Sequence, residues 1–142
     1  MSIAKVIENR QQQIITCTPT DSVRHAAGLL AEKRIGAMPV MDAGKVAGIF
    51  SERDVLYCVA KEGAAALDRA VAEVMTTPAI TIDPAQDALH AMALMTRRRI
   101  RHLPVVEGDR LLAFVSIGDL VKHRIEKIEA EAEMMREYIT MS

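Results

Sequence analysis

Aromatic residues are nearly missing: two Tyr, two Phe and no Trp in 142 residues. Any core must therefore be built from Ile, Val, Leu, Met and Ala, and the stacking platforms used by single-strand nucleic-acid binders are lacking. Charge of one sign is missing as well. Eighteen Lys and Arg stand against 19 Asp and Glu, for a net charge of −1, so no global field favours nucleic acid or an anionic membrane. Two cysteines, Cys17 and Cys58, are too few for a disulfide framework, and neither has the partner pattern of redox or nucleophilic work. No apolar run is long enough to span a bilayer and no secretory signal is evident. The expectation is a reduced, cytoplasmic protein with no membrane or nucleic-acid partner. His25 and His90 lack a carboxylate or thiol at ligand spacing, so no metal site is expected. No nucleophile with a positioned base is found either, so no catalytic residues are assigned.

What the chain does contain is one pattern written twice. Pro19 and Pro84, Pro39 and Pro104, Ser51 and Ser116, and Asp54 and Asp119 are each 65 positions apart. A repeat of this length means two copies of one supersecondary unit burying a shared face. About sixty residues alone would bury too little surface. A pseudo-twofold axis follows, and a cleft made by one copy should recur in the other.

Each copy reads as strand, helix, strand, strand, helix. In the first, Ile14 to Thr16 is a strand, Asp21 or Ser22 caps a helix carrying Val23, Ala26, Ala27 and Leu30, and Ala37 to Met41 and Lys45 to Phe50 are strands about an Ala43-Gly44 turn. A helix follows Glu52 to about Val59. In the second, Ala79 to Ile82, Leu103 to Val106 and Leu111 to Ser116 are strands, with Pro84 to Arg98 helical and Glu107-Gly108-Asp109 turning the hairpin. Short helices precede both: Ser2 to Asn9, and Val71 to Met75, which match at an offset of 68. The three extra residues fall near the polar Gln11-Gln12-Gln13. Such an order needs one sheet with helices packed on it. The divisions expected are 1–60 for the first repeat with its N-terminal helix, 61–70 for a linker, 71–124 for the second repeat and 125–142 for a helical extension.

That extension carries a narrow seam. Val121, Ile125, Ile128, Ala132, Met135 and Ile139 are spaced 4, 3, 4, 3 and 4, a heptad-type pattern. The helix either lies back over its own chain or packs on a second subunit.

The duplicated block, with Gly-x-x-Ser-x-x-Asp before a helix in the first copy, a Pro after each first strand and a Pro-Val strand in the middle, resembles tandem cystathionine-beta-synthase (CBS) domains, a Bateman module of the stand-alone bacterial type. The resemblance implies a mixed α/β (α+β) fold of two repeats packed sheet to sheet about a pseudo-twofold, plus the C-terminal helix. It implies a non-catalytic regulatory module binding AMP, ADP, ATP or NAD(H) in two clefts. A disc-like homodimer and an unidentified effector protein are its implied partners. An interaction scaffold with empty clefts, working through its C-terminal helix, is the alternative.

By the resemblance, Asp54 and Asp119 accept from ribose hydroxyls, a carboxylate having two acceptor oxygens for a vicinal diol. Ser51 and Ser116 face ribose or phosphate at a helix start, where free amides suit an anion. The same Ser-x-x-Asp also describes an ordinary helix cap, and that reading stays open. Arg53 stands beside Asp54, whereas Gly118 occupies the matching place. Arg101 offers phosphate a bidentate fork, and His102 a pH-dependent contact. For adenine, Ile15, Ile35, Ala37, Met38 and Pro39 are candidates for one slot and Ile80, Ile100, Leu103 and Pro104 for the other, unless they are plain core. Gly48 allows a close approach to its strand, and Ala113 in its place should narrow the second cleft. The mismatches predict two unequal sites.

Overall fold

Ser22 starts the first long helix by accepting from the His25 backbone N–H at 3.0 Å, while Asp21 accepts from Thr18 N–H at 2.8 Å and shapes the turn before it. This local chemistry recurs along the chain, described over residues 1–10 and 13–141 in a computed structural model. Gln11 and Gln12 of the polar connector lie outside the described residues. The helices are α1 (Ile3–Ile7), α2 (Val23–Lys33), α3 (Glu52–Glu62), α4 (Val71–Val74), α5 (Ala88–Arg98) and α6 (Ile117–Met141). The strands are β1 (Ala37–Asp42), β2 (Lys45–Ser51), β3 (His102–Glu107) and β4 (Arg110–Ser116).

The strands form two separate antiparallel hairpins, β1–β2 and β3–β4, rather than one sheet. Both have the same irregularity. Val40 pairs with Gly48 and Met41 with Val46, and Val105 pairs with Ala113 and Val106 with Leu111, so one residue bulges out in each. The expected first strands do not form: Ile14 to Thr16 carries no strand, a parallel bridge falling instead on the adjoining Cys17 with Val40, and Ala79 to Ile82 is reduced to the parallel bridge of Ile82 with Val105. The chain turns directly after each bridge, Asp21 N–H reaching Thr18 O at 3.2 Å and Gln86 N–H reaching Asp83 O at 3.0 Å. Residues Pro84 to Asp87 likewise form a turn rather than helix: Asp83 accepts from Ala85 N–H at 2.7 Å and Gln86 from Asp83 N–H at 2.8 Å.

Two apolar cores result, and the short helices are exchanged between them. Ile3 and Val6 of α1 pack with Ile82, Ala91, Met95 and Leu103 of the second half. Val71 of α4 packs with Val23, Leu30, Met38 and Phe50 of the first. Matching hydrogen bonds fix both. Ile3 N–H reaches Gln86 O and Ala4 N–H reaches Pro84 O, each at 2.8 Å; Val71 N–H reaches Asp21 O at 2.8 Å and Ala72 N–H reaches Pro19 O at 3.0 Å. The joint between copies is ordered too. Gly63–Asp68 form a 3-10 helix whose Ala66 is fully buried in the first core.

The C-terminal helix has 25 residues, about 37 Å at 1.5 Å per residue. Within it only Leu120 is deeply buried. Val121, Ile125, Ile128 and Met135 are exposed, so the seam is not covered by its own chain. No helix among the described residues is long and apolar enough to cross a membrane.

Candidate ligand clefts

The two halves meet along β2 and β4, leaving a cleft on either side. The first, about 280 Å³, is lined by Ala37, Ser51, Arg53, Asp54, Ile80 and Ile100 together with Tyr57, Thr76 and Pro78. The second, about 520 Å³, is lined by Ile15, Ile35, Ala37, Ser116 and Asp119 together with Arg10, Arg34 and Phe114. Each aspartate therefore faces apolar residues of the other repeat. Ala113 also lines the second cleft without narrowing it: that cleft is the larger, and the Ala113 side chain is largely buried.

Four of the expected slot residues do not face a cleft. Met38 and Leu103 are fully buried in the cores of their own halves. Pro39 and Pro104 are buried with them, their carbonyls accepting from Cys17 N–H at 3.2 Å and Ile82 N–H at 3.0 Å. Strand alternation explains Met38 and Leu103, since neighbouring side chains point to opposite faces. Burial pushes the Cys17 thiol up to about 12, Asp21 adding to the effect, so Cys17 is packing material.

The Ser-x-x-Asp segments are capping arrangements in both copies. Asp54 Oδ2 accepts from Ser51 N–H at 2.9 Å and from Ser51 Oγ at 3.1 Å, and Ser51 Oγ accepts from Asp54 N–H at 3.3 Å. Asp119 Oδ2 accepts from Ser116 N–H at 2.8 Å, and Ser116 Oγ from Asp119 N–H at 3.0 Å. The caps hold each carboxylate at its cleft wall.

What reaches the carboxylates next differs. Thr76 Oγ1 donates to Asp54 Oδ1 at 3.1 Å while Thr76 N–H donates to Ile49 O at 2.8 Å. In the second copy a side chain does both jobs: Arg10 Nη2 lies 2.7 Å from Asp119 Oδ2 and Nη1 donates to Phe114 O at 3.3 Å. Gly48 is what permits the first arrangement. A Cβ there would stand 2.8 Å from Thr76 O and 2.8 Å from Met75 Sδ. Burial works to raise the Asp119 carboxyl, but Arg10 and the Ser116 donors outweigh it and hold the group below the usual carboxylate range.

Arg101 lines the first cleft and pairs with Glu52 at 3.3 Å, both side chains exposed. Arg53 Nη1 donates to Arg99 O at 3.1 Å, joining the halves. His102 lines both clefts and stacks on Phe114 with ring centroids 5.4 Å apart. Burial, helped by Arg101, holds His102 below the ordinary imidazole value against the opposing pull of Asp119 and Glu52. Arg34 and Arg99 close their helices at matching positions with φ of 54° in both. Among the described residues no group of three or more His, Cys, Asp or Glu converges to hold a metal ion.

Arg10, Thr76, Tyr57 and Pro78 were not evident as cleft residues from the motifs. The 68-residue match of the short helices was the available signal, since it sets Arg10 against Pro78.

A family model described as the CBS domain matches residues 7–61 and again residues 71–126. The chain belongs to the CBS-domain family. Among solved structures, this CBS pair is similar to a CBS-domain containing protein from Agrobacterium tumefaciens, at 38% identity and a TM-score of 0.82 over 87% of this chain and 99% of that one. Among curated proteins it is 34% identical, over 87% of its length, to the mitochondrial CBS domain-containing protein CBSX3 of Arabidopsis thaliana, and spans 62% of that relative. CBSX2, crystallised in complex with AMP, has the same fold at 23% identity and a TM-score of 0.76, covering 88% of this chain and 96% of that one.

Proposed function

We propose that this CBS pair is a non-catalytic regulatory module whose clefts take adenosine-containing nucleotides, AMP foremost, with ADP, ATP and NAD(H) as further candidates. The observation that carries the reading is the first cleft: a capped carboxylate at a helix start, facing Ile80, Ile100 and Pro78 across a cavity of about 280 Å³. Asp54 has the acceptor oxygens for a ribose diol. The start of α3 offers amides to an anion, Arg101 and Arg53 supply cations, and the apolar wall suits a flat base. The AMP complex of CBSX2 supports the same chemistry for this fold. In this reading Ser116 and Asp119 serve the second cleft in the same way, with Ile15 and Ile35 as its apolar wall. Occupancy changes how α6 meets an effector protein, and the exposed seam of α6 joins two chains into a homodimer. The two buried free cysteines suit a reducing compartment such as the cytoplasm.

Thermal unfolding with AMP, ATP and NADH tests the reading. A ligand at a hundredfold excess over its dissociation constant adds about 2.7 kcal/mol, and Asp54→Ala removes one binding site of two. No shift with any adenosine ligand sinks the proposal. It would leave the scaffold reading, which the uncovered α6 seam favours.

A further inference from the structure

The Arg10–Asp119 contact is peculiar to one cleft. At the matching place the first cleft has Pro78, and its aspartate receives a neutral hydroxyl. In the second, a guanidinium lies 2.7 Å from the carboxylate that would receive a sugar diol. Among the described residues Arg10's side chain has one further bond, a 3.3 Å donation to the Phe114 carbonyl, and Lys33 and Arg34 line the same cavity. A neutral nucleoside entering here must compete with a full positive charge for Asp119 and offers Arg10 nothing in return. A phosphate offers Arg10 a bidentate acceptor of equal or greater charge.

We infer that the Arg10–Asp119 ion pair is a latch that closes the second cleft to uncharged nucleosides and opens to phosphate-bearing ones, Arg10 passing from the carboxylate to the phosphate and freeing Asp119 for the ribose. The first cleft, with Thr76 and Pro78 in place of Arg10, has no such latch and admits adenosine as well as AMP, Arg53 and Arg101 favouring AMP. The two clefts thereby differ in ligand class and not only in affinity. This inference rests on the nucleotide reading above.

Calorimetric titration of the full chain with adenosine and with AMP tests it. The expected result is two equivalents of AMP and one of adenosine per chain. In Arg10→Ala, adenosine rises to two equivalents and AMP at the second cleft weakens on the order of tenfold, the loss of one charged hydrogen-bond partner. Arg10→Lys keeps the preference for AMP, and Arg10→Gln reads the same question should the alanine variant not fold. Two equivalents of adenosine in the unaltered chain, a single equivalent of AMP, or unchanged adenosine stoichiometry in Arg10→Ala and Arg10→Gln each overturn the latch while leaving a nucleotide site in place. Binding of neither ligand overturns the nucleotide reading itself, and the latch with it.

Discussion

At the scale of single residues the two halves differ most where their sequences do. Gly48 and Ala113 occupy the same strand position, and a Cβ at Gly48 would stand 2.8 Å from the Thr76 carbonyl oxygen, whereas the second copy accommodates the Ala113 methyl. Gly48→Ala should therefore cost about 1–3 kcal/mol, the usual penalty for overpacking. Ala113→Gly should cost only about 0.5–1 kcal/mol, through chain entropy. Denaturant melts of the two variants check the contrast, and equal losses would contradict it. The titrating groups give a second expectation. Asp119 is held below its ordinary range, so its contribution is complete above the unfolded value, about 3.9, and is lost as pH falls through the lower folded value. His102 is held below the ordinary imidazole value by burial, so its contribution is complete above about 6.5 and declines as pH falls below that. Between pH 7.5 and pH 5.5 the melting temperature should therefore drop, and the drop should shrink in His102→Phe, which keeps a ring against Phe114. An unchanged pH slope in that variant would assign the loss elsewhere.

At the scale of elements, the helix starts are the clearest joints between sequence and structure. Ser51 caps α3 with a full capping box, so Ser51→Ala should lower stability by about 1 kcal/mol. If Ser51 also touches ligand, affinity at the first cleft falls beyond what the stability loss explains, and paired melting and titration data separate the two. The long helix makes a different prediction. Ile125 and Ile128 sit on the exposed seam of α6, and a charge there should split a homodimer: light scattering should report twice the chain mass for the unaltered protein and the single mass for Ile128→Glu. Hairpins, helices and the twofold pattern were legible in the sequence because alternation, caps and Pro turns are local signals. The lost first strands were not, since Ile14 to Thr16 and Ala79 to Ile82 carry strand-forming residues, yet pairing is confined to single bridges at the adjoining Cys17 and at Ile82. The aspartates' place on the cleft walls was legible only through the family resemblance that the repeated motif carries, since Ser-x-x-Asp by itself reads equally as a helix cap. Arg10 was not, because its role depends on where the N-terminal helix docks, and nothing in its own neighbourhood marks that. Met38 and Leu103 were misplaced for a related reason: an apolar residue beside a cleft residue looks the same whether it points toward ligand or core.

At the scale of the whole molecule the exchange of α1 and α4 binds the halves into one unit. Each core is completed by a helix that precedes the other repeat, so the chain should unfold in a single cooperative transition. Residues 1–69 and 70–142 made as separate pieces should each lack native circular dichroism, and mixing them should restore it. A native spectrum from either piece alone would show that the exchanged helix is dispensable. The same exchange sets what the two copies can become. A single repeat with this geometry would lend its leading helix to a second copy and borrow one back. The present chain has the form of a domain-swapped dimer within one polypeptide, the 3-10 segment at Gly63–Asp68 joining the two copies. Two copies in one polypeptide need not be identical, so an arginine can stand in one cleft and a proline in the other, which no dimer of identical repeats can do.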